Sequence, residues 1–333
     1  MTAAGIDISN EIEETKRELP MSVLPDDFLG SQAFRVRQSA LELGHSWQKC
    51  TMLVDLAKCR DGYSDDAKWR ARTFLQQAVS SGAKLITRAK ARKVLVENGR
   101  AIGVQYDDGT AGKNAEPRNV YASRVVLSAG AAATPVLLHA SGLKGVLNQG
   151  FYCCPGFLMM GVVPGLKAGD SVVGSMSADL GDGVSLGDAS LPRSLYRIYM
   201  LTNGHLLRSF QHASTVCVGV ETRDDLGGGL QEDGHFHKTL GAADMARLAR
   251  GEAAARKIIE NAGGKNLFRS RLRAIQLGGT VRMREHVDAN LETEIPRLHV
   301  CDGSLLPQSV AVPPTVSLVC LGRYLARQIG RLM

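Results

Sequence analysis

The stretch LSAGAAATPVLLHASGLKG, residues 127–145, decides the fold of this chain. Its first residue ends an apolar run that is typical of a buried strand, and Gly130 stands where the chain leaves that strand. Thr134 is a favourable N-cap, Pro135 suits the first turn of a helix, and Gly142 is suited to end one. The stretch therefore predicts a strand, a glycine turn and a short helix.

Two roles fit the turn at Gly130. A glycine lets bare backbone come close to a ligand, and a helix start beside it attracts phosphate through its N–H groups and its dipole. Strand-to-helix turns that bind nothing use the same residue types. The stretch alone leaves a cofactor-binding turn and a structural turn both open.

The composition is that of a globular protein with one large domain or two smaller ones. The 333 residues are 44% hydrophobic and 22% charged, and the 36 glycines favour an α/β protein with many tight turns. The net charge of +7 is densest at Arg88, Lys90, Arg92 and Lys93. Because side chains alternate along a strand, we interpret this patch as a solvated strand face. The few aromatic residues offer no stacking platform, so no nucleic acid partner is expected.

The start of the chain and its cysteines indicate the compartment. The first twenty residues are polar and unlike a signal peptide, and no apolar run approaches the roughly 18 residues of a membrane span. We therefore expect a cytoplasmic protein without a membrane span, whose seven cysteines are reduced. The adjacent Cys153-Cys154 pair is interpreted as buried or idle thiols rather than a redox pair. No cysteine–histidine spacing matches a metal site, and none is expected.

The remaining pattern predicts helices on both sides of a region rich in strands. The predicted helices cover residues 31–43, 66–79 and 244–261, and the predicted strands cover residues 84–87, 93–97, 101–106 and 121–128. Asn98-Gly99 is a strong signal for a hairpin turn. Short apolar runs between Gly and Asp clusters predict an antiparallel sheet over 146–240. Residues 298–333 predict a strand, a loop and a helix.

The spacing within the opening stretch resembles the second signature of the glucose–methanol–choline (GMC) oxidoreductases. The matching pattern is Gly130-Ala131-x-x-Thr134-Pro135-x-Leu137-Leu138-x-x-Ser141-Gly142-Leu143-x-Gly145. Other segments resemble the same family, namely residues 68–104, Gly279-Thr280, residues 300–307 and Pro314-Thr315. The resemblance extends from about Ser31 to the end of the chain.

This resemblance implies an α/β fold with two domains. One is a FAD/NAD(P)-binding Rossmann-like domain, incomplete at its N-terminus, over residues 69–145 and 276–333. The other is an α+β antiparallel-sheet substrate domain over residues 146–275. Residues 1–68 are expected to form an N-terminal segment that packs on the substrate domain.

The resemblance also implies FAD as the cofactor and oxidation of a small-molecule alcohol, with hydride transfer to the flavin. Family positions carry over as Ala91 at the adenine, Gly130 and Ala131 beside the dinucleotide, Asp302 and Gly303 near the ribitol and pyrophosphate, and Pro314 and Thr315 next to the isoalloxazine. A helix that starts at this last pair would carry about half a positive charge and stabilise an anionic reduced flavin.

Two departures from the family pattern bear on activity. The family opens with a βαβ unit carrying G-x-G-x-x-G, which holds the pyrophosphate, and the 333 residues contain no such motif. The family's catalytic histidine, four residues before the Thr of Gly-Thr, falls on Gln276, and its partner position falls on Pro313. An amide can donate or accept a hydrogen bond but cannot take up a proton near neutral pH.

Two interpretations follow. In the first, the chain is an enzyme component, and its missing FAD-binding segment comes from a separate chain or an upstream reading frame. In the second, it is a catalytically inactive binding module or remnant of the family. His286, His299, His235 and His237 are each expected to be structural or exposed rather than a replacement base.

Overall fold

The computed structural model describes residues 5–59, 64–111, 116–147, 150–169, 174–308 and 313–331. The helices within these ranges are α1 (Ser9–Glu18), α2 (Ser31–Glu42), α3 (Arg72–Ser80), α4 (Ala133–Ala140), α5 (Arg193–Thr202), α6 (Ala242–Asn261) and α7 (Thr315–Arg331). The strands are β1 (Met21–Val23), β2 (Gln48–Lys49), β3 (Thr51–Leu53), β4 (Ala89–Glu97), β5 (Arg100–Asp108), β6 (Arg118–Tyr121), β7 (Val125–Leu127), β8 (Pro155–Val162), β9 (Met176–Asp179), β10 (Val184–Asp188), β11 (Thr215–Thr222), β12 (Gly229–Leu230), β13 (Phe236–His237), β14 (Lys265–Arg269), β15 (Arg273–Ala274) and β16 (Leu298–Val300).

The larger core is built on an antiparallel sheet. The sheet runs β14-β8-β11-β10-β9-β2, and β15 adds to β8. α2 and α6 pack on β11, and the Ser39 hydroxyl of α2 donates to the Ile258 carbonyl of α6 at 2.6 Å. On a separate cluster, Met160 of β8 is buried with Tyr196 and Met200 of α5. β8 and β11 are buried at nearly every position because helices cover both of their faces.

The second core gathers around a parallel pair of strands. β16 runs parallel to β7, with Leu298 opposite Val125 and Val300 opposite Leu127. Leu138 of α4 and Leu321 of α7 are buried in the same cluster, as are parts of the meander β4-β5-β6. Segments that lie before and after the antiparallel sheet in sequence therefore share one core. The predicted combination of an α/β core with an antiparallel-sheet region is confirmed.

Most local predictions agree with the structure. The helix over 31–43, the sheet over 146–240 and the helix over 244–261 are confirmed, and Asn98 and Gly99 both have positive φ in the β4–β5 turn. The strand predicted over 84–87 is wrong, since β4 begins only at Ala89. The helix predicted over 66–79 starts late, at Arg72, after a 3₁₀ turn over Asp65–Ala67. α5 lies inside the region for which a sheet alone is predicted.

The N-terminal segment contacts both cores. α1 packs on α7, where Arg327 contacts the buried Glu11 carboxylate at 2.7 Å. α2 instead packs on the antiparallel sheet, where the Gln32 amide donates to the His212 carbonyl at 2.9 Å. The domain boundaries given above stay a prediction. Among the described ranges, no helix is both long enough and apolar enough to cross a membrane.

Candidate functional site

The Asp302 carboxylate links the carboxyl ends of the two parallel strands, β7 and β16. Asp302 follows β16, and its Oδ2 accepts the backbone N–H of Gly130, just after β7, at 2.9 Å. Its Oδ1 accepts the backbone N–H of Ser304 at 2.8 Å. The Ser128 hydroxyl also donates to the Cys301 carbonyl at 2.8 Å. The carboxyl ends of parallel strands are where ligands bind in open α/β sheets, so this edge is the candidate site.

Thr134 has a different role from the one predicted. The prediction of Thr134 as an N-cap is wrong, because α4 begins at Ala133 and its N-cap is Ala132. The fully buried Thr134 hydroxyl instead accepts the N–H of Ala129 at 3.1 Å and donates to the Asp302 carboxylate. A buried hydroxyl needs such partners, and this one fixes the start of α4 to the end of β16.

A third segment joins the same cluster. The Thr280 hydroxyl, which is buried, donates to the Ala131 carbonyl at 2.7 Å. The N–H of the next residue, Val281, donates to the Ser304 carbonyl at 3.1 Å. The structure therefore brings together Gly130, Ala131, Asp302 and Gly303, four of the predicted cofactor-binding positions, with Gly279-Thr280. We call this set, with Thr134 and Ser304, the Asp302 cluster.

The Asp302 cluster has an open side. Gly130 has a φ of +89°, and a Cβ built on it would meet no atom within 4 Å. Backbone at this point can therefore be approached closely by a ligand, which only glycine permits without strain. The buried Ser304 hydroxyl also has no hydrogen-bond partner within the described part of the chain. The open backbone at Gly130 is the feature that a ligand-binding edge requires.

Gln276 connects this cluster to the antiparallel sheet. Its backbone N–H donates to the Cys153 carbonyl at 3.4 Å, and Gly278 exchanges two backbone hydrogen bonds with Tyr152, at 3.1 and 3.2 Å. Two residues later the chain reaches Thr280 in the Asp302 cluster. Gln276 therefore lies on the short segment that bridges the two cores, although its assignment as a catalytic position stays a prediction.

A buried ion pair holds the segment before β8, which Gln276 contacts. The Asp224 carboxylate accepts the backbone N–H groups of Cys153 at 3.0 Å and Cys154 at 2.8 Å, and it pairs with Lys238. The Asp224 side chain is fully buried and that of Lys238 is 5% exposed. Sequence analysis missed this pair, because nothing in the spacing of Asp224 and Lys238 distinguishes it from exposed charges.

A cavity of about 380 Å³ opens beside the segment that contains Cys153. Its walls are mostly apolar, with Phe151, Pro155 and Leu240 among the lining residues, and Ala274 lines it two residues before Gln276. His237 also lines this cavity. The cavity is thus a place next to the bridging segment where a small molecule fits.

Two thiols, Cys153 and Cys301, and two histidines, His286 and His299, are buried or partly buried and have structural surroundings. Burial raises the pKa of Cys153 to about 12 and that of Cys301 to about 11, with the nearby carboxylates of Asp224 and Asp302 adding to the effect. Both groups are therefore protonated thiols at neutral pH. The His286 ring accepts the Arg282 N–H at 2.9 Å, and His299 is fully buried. Burial lowers the pKa of both rings, as expected for structural histidines.

The remaining predicted positions lie on elements of the second core. Ala91 is on β4 opposite Tyr106, and it packs against that core. Pro314 accepts the N–H of Leu318 at 2.9 Å in the first turn of α7, which begins at Thr315 as predicted. Pro313 is exposed. The roles of these positions toward a cofactor stay predictions.

Comparison with known proteins shows a family resemblance over part of the chain. A family model described as GMC oxidoreductase matches residues 30–149. An uncharacterized GMC-type oxidoreductase of Mycobacterium tuberculosis is 30% identical over 147 residues, which are 41% of this chain and 22% of that protein. The chain thus spans less than a quarter of that relative. An uncharacterized protein of Methanocaldococcus jannaschii is 25% identical over 338 residues, covering 97% of this chain and 80% of that protein.

Solved structures share the fold at low identity. Pyridoxine 4-oxidase from Mesorbium loti and a formate oxidase variant from Aspergillus oryzae each match with a TM-score of 0.65 and 14% identity, over 94% of this chain and 72% of theirs. An FAD-dependent oxidoreductase from Chaetomium thermophilum matches with a TM-score of 0.60 and 14% identity, over 92% of this chain and 73% of its own. Residues 30–149 thus match the GMC oxidoreductase family model, and the fold shared with these oxidases agrees with that match.

Proposed function

We propose that this chain is part of an FAD-dependent oxidoreductase that oxidises the CH–OH group of a small alcohol. The observation that carries the proposal is the Asp302 cluster, in which Asp302 joins the carboxyl ends of β7 and β16 beside the open backbone of Gly130. In open α/β sheets a dinucleotide crosses this edge. FAD is the cofactor associated with the GMC family, and it is named for two of the structural relatives.

The residues at this edge suit a flavin dinucleotide. Gly130 offers backbone that a ligand can approach, and Ala131 follows it directly at the start of the turn into α4. Asp302 and Gly303 would lie near the ribitol and pyrophosphate, and Ala91 near the adenine. Pro314 and Thr315 begin the 17-residue helix α7, whose N-terminal dipole would favour negative charge on the flavin ring.

The pyrophosphate of a dinucleotide needs hydrogen-bond donors, which a G-x-G-x-x-G motif usually supplies. The 333 residues do not contain this motif. Within the described residues, the sheet containing β7 has only β16 as a second strand, and the side chain of Val126 in β7 is 42% exposed. Parallel strands are normally buried in larger sheets. A strand–G-x-G-x-x-G–helix unit, from a separate chain or from polypeptide ahead of Met1, would pair with the outer edge of β7.

FAD, when bound, would supply the hydride acceptor, and the hydroxyl proton of the alcohol would pass to solvent water. The Gln276 side chain would hydrogen-bond to the alcohol oxygen and orient it, and the Pro313 side chain would contribute no donor or acceptor. The apolar walls of the cavity beside Ala274 would receive the carbon part of the substrate. Since an amide takes up no proton near neutral pH, turnover is expected to be about 10²–10⁴ slower than with a histidine base.

Flavin absorbance tests this proposal. The chain is purified alone and after coexpression with the polypeptide encoded immediately upstream, and spectra are recorded for flavin bands at about 380 and 450 nm. The expected result is a yellow complex whose long-wavelength band bleaches slowly when a primary alcohol is added without oxygen. Colourless protein under both conditions, with its fold intact by circular dichroism, would refute FAD binding.

A binding module without turnover is the second candidate, and the replacements at Gln276 and Pro313 favour it. The same experiment separates the two. Flavin that binds but is not bleached by any member of an alcohol series, over hours, supports the module. Bleaching that scales with alcohol concentration supports the oxidoreductase.

A further inference from the structure

The side of the antiparallel sheet that α5 covers carries a cluster of exposed apolar side chains. Six apolar side chains on α5 and the following 3₁₀ turn (Leu206–Phe210) range in exposure from 47% for Leu195 to 83% for Leu207. The six residues, called here the α5 patch, are Leu195, Ile198, Leu201, Leu206, Leu207 and Phe210. Clustered apolar exposure of this kind marks an interaction surface, whereas scattered exposed apolar residues are ordinary.

The α5 patch is held as one rigid surface. Leu195, Ile198 and Leu201 follow each other at intervals of three residues, so they form a stripe along one side of α5. Tyr196 and Met200 are buried on the opposite side. The Tyr196 hydroxyl donates to the Arg208 carbonyl at 2.9 Å, which fastens the 3₁₀ turn to the helix. The exposed side chains are therefore presented by anchored backbone.

Charge around the α5 patch selects the kind of partner. Between Asp188 and Glu221 the sequence has three arginines and no acidic residue. Arg208 lies in the 3₁₀ turn, with its guanidinium 4.6 Å from the centre of the Phe268 ring, and Arg193 and Arg197 are on α5. Leucine and phenylalanine side chains flanked by arginines are the pattern of a surface that lies in the headgroup region of an anionic bilayer.

We propose that the α5 patch docks this protein on the surface of an anionic phospholipid membrane. The apolar side chains enter the boundary between headgroups and acyl chains, while the arginines remain at the level of the lipid phosphates. The protein lies on the bilayer and does not cross it, in keeping with the absence of a spanning helix in the described ranges.

A second copy of the chain fits the α5 patch less well. A two-fold contact places the same surface of each copy against the other. Arg197 and Arg208 of the two copies would then meet, and residues 189–220 contain no acidic residue. A nucleic acid fits less well too, because five of the six exposed side chains are aliphatic and give bases no stacking surface.

Vesicle flotation tests the proposal. The purified chain is mixed with phosphatidylcholine vesicles, either pure or containing about 30% phosphatidylglycerol, at low and high salt. Binding is expected only with phosphatidylglycerol and is expected to weaken with salt. Leu207→Ser and Phe210→Ser should each weaken partitioning about tenfold, because each removes an apolar group from the lipid boundary. Arg197→Gln should weaken it about fivefold.

Met245→Ser is the matched control, since Met245 is 53% exposed on α6, outside the α5 patch. It should bind vesicles like the unmodified chain. Equal binding to neutral vesicles, or equal loss with Met245→Ser, would overturn the proposal. So would an absence of vesicle binding together with a dimer, measured by light scattering, that Phe210→Ser dissociates.

Discussion

Asp302 accepts the backbone N–H of Gly130 at 2.9 Å, although the two residues are 172 positions apart in the sequence. The parallel register of β7 and β16 brings them together, and the antiparallel sheet lies between them along the chain. The Asp302 carboxylate therefore links two distant segments of the second core at the edge where a dinucleotide is proposed to bind. Because a carboxylate bonds more strongly than a neutral acceptor, this contact should be measurable in stability.

A double-mutant cycle on Asp302 and Thr134 measures that contact. Asp302→Asn should lower the free energy of unfolding by about 2 kcal/mol, the usual worth of hydrogen bonds to a charged group. Thr134→Val should cost about 1–2 kcal/mol, because Asp302 and the Ala129 N–H each lose a partner. Urea denaturation should give a double variant less destabilised than the sum of the two. Thr134→Ser, which keeps the hydroxyl, is the control, and strict additivity would show that the pair is not coupled.

A glycine pair separates backbone strain from flavin binding. Gly130 and Gly142 both have positive φ, +89° and +102°, and neither has an atom within 4 Å of a built Cβ. An alanine at either position should cost about 1–2 kcal/mol in conformational strain. Only Gly130→Ala should also weaken FAD binding by the reconstituted protein, because its methyl group would enter the proposed dinucleotide path. Similar FAD affinities for the two variants would contradict the placement.

Local patterns in the sequence predicted much of the second core. The strand before Gly130, the turn itself and the end of α4 before Gly142 depend on neighbouring residues, and the structure has all three. The strand predicted over 121–128 is shorter than expected, because Tyr121 ends β6 and β7 covers only Val125–Leu127. The hydrogen-bond partner of the Thr134 hydroxyl could not be predicted from neighbouring residues. The hydroxyl bonds to Asp302, which is 168 residues away in the sequence, instead of capping its own helix. Family spacing, in contrast, did single out Asp302.

The sequence predicted the antiparallel sheet, but it predicted neither α5 nor the buried pair of Asp224 and Lys238. α5 is hard to recognise because its apolar stripe faces outward and its buried residues are few, which inverts the usual helical pattern. Asp224 and Lys238 look like surface charges in sequence. Their burial depends on contacts with a distant segment, in which the Phe151 carbonyl accepts a hydrogen bond from Lys238 Nζ at 2.7 Å.

Removing one partner of the Asp224–Lys238 pair should lower the free energy of unfolding much more than replacing both partners. Asp224→Asn leaves the Lys238 ammonium buried without its counterion, and it should reduce the free energy of unfolding by about 3–5 kcal/mol. Asp224→Asn combined with Lys238→Met should be less destabilised than the single variant, as measured by denaturant titration. Asp65→Asn, which breaks the exposed pair with Arg70, is the control and should leave the midpoint nearly unchanged. A double variant no better than Asp224→Asn alone would refute the role of the unpaired charge.

His299 should make the protein sensitive to acid. Burial lowers its pKa from the ordinary value of 6.5, so the unfolded chain binds a proton at a higher pH than the folded chain does. Stability is then complete above the unfolded pKa and falls as the pH drops from about 6.5 toward the folded pKa. Melting temperatures at about pH 7.5 and 5.5 should differ less for His299→Gln than for the unmodified chain. His235→Gln, at an exposed position, should keep the full difference, and identical pH profiles for all three proteins would contradict the assignment.

Gln276→His should restore the general base that the proposed reaction lacks. The bridging segment from Gln276 to Thr280 is held at both ends by backbone and hydroxyl hydrogen bonds, so the substitution should leave the second core intact. A neutral imidazole accepts the hydroxyl proton, and kcat for alcohol oxidation by the FAD-loaded protein should rise by about 10²–10⁴. Because the base acts in its deprotonated form, kcat/KM should increase with pH through about 6.5, a rise absent from the unmodified protein. Gln276→Asn, which also cannot accept a proton, is the matched control. If Gln276→His is no faster than Gln276→Asn, position 276 does not contact the reacting hydroxyl, and the proposed alignment of the substrate is wrong.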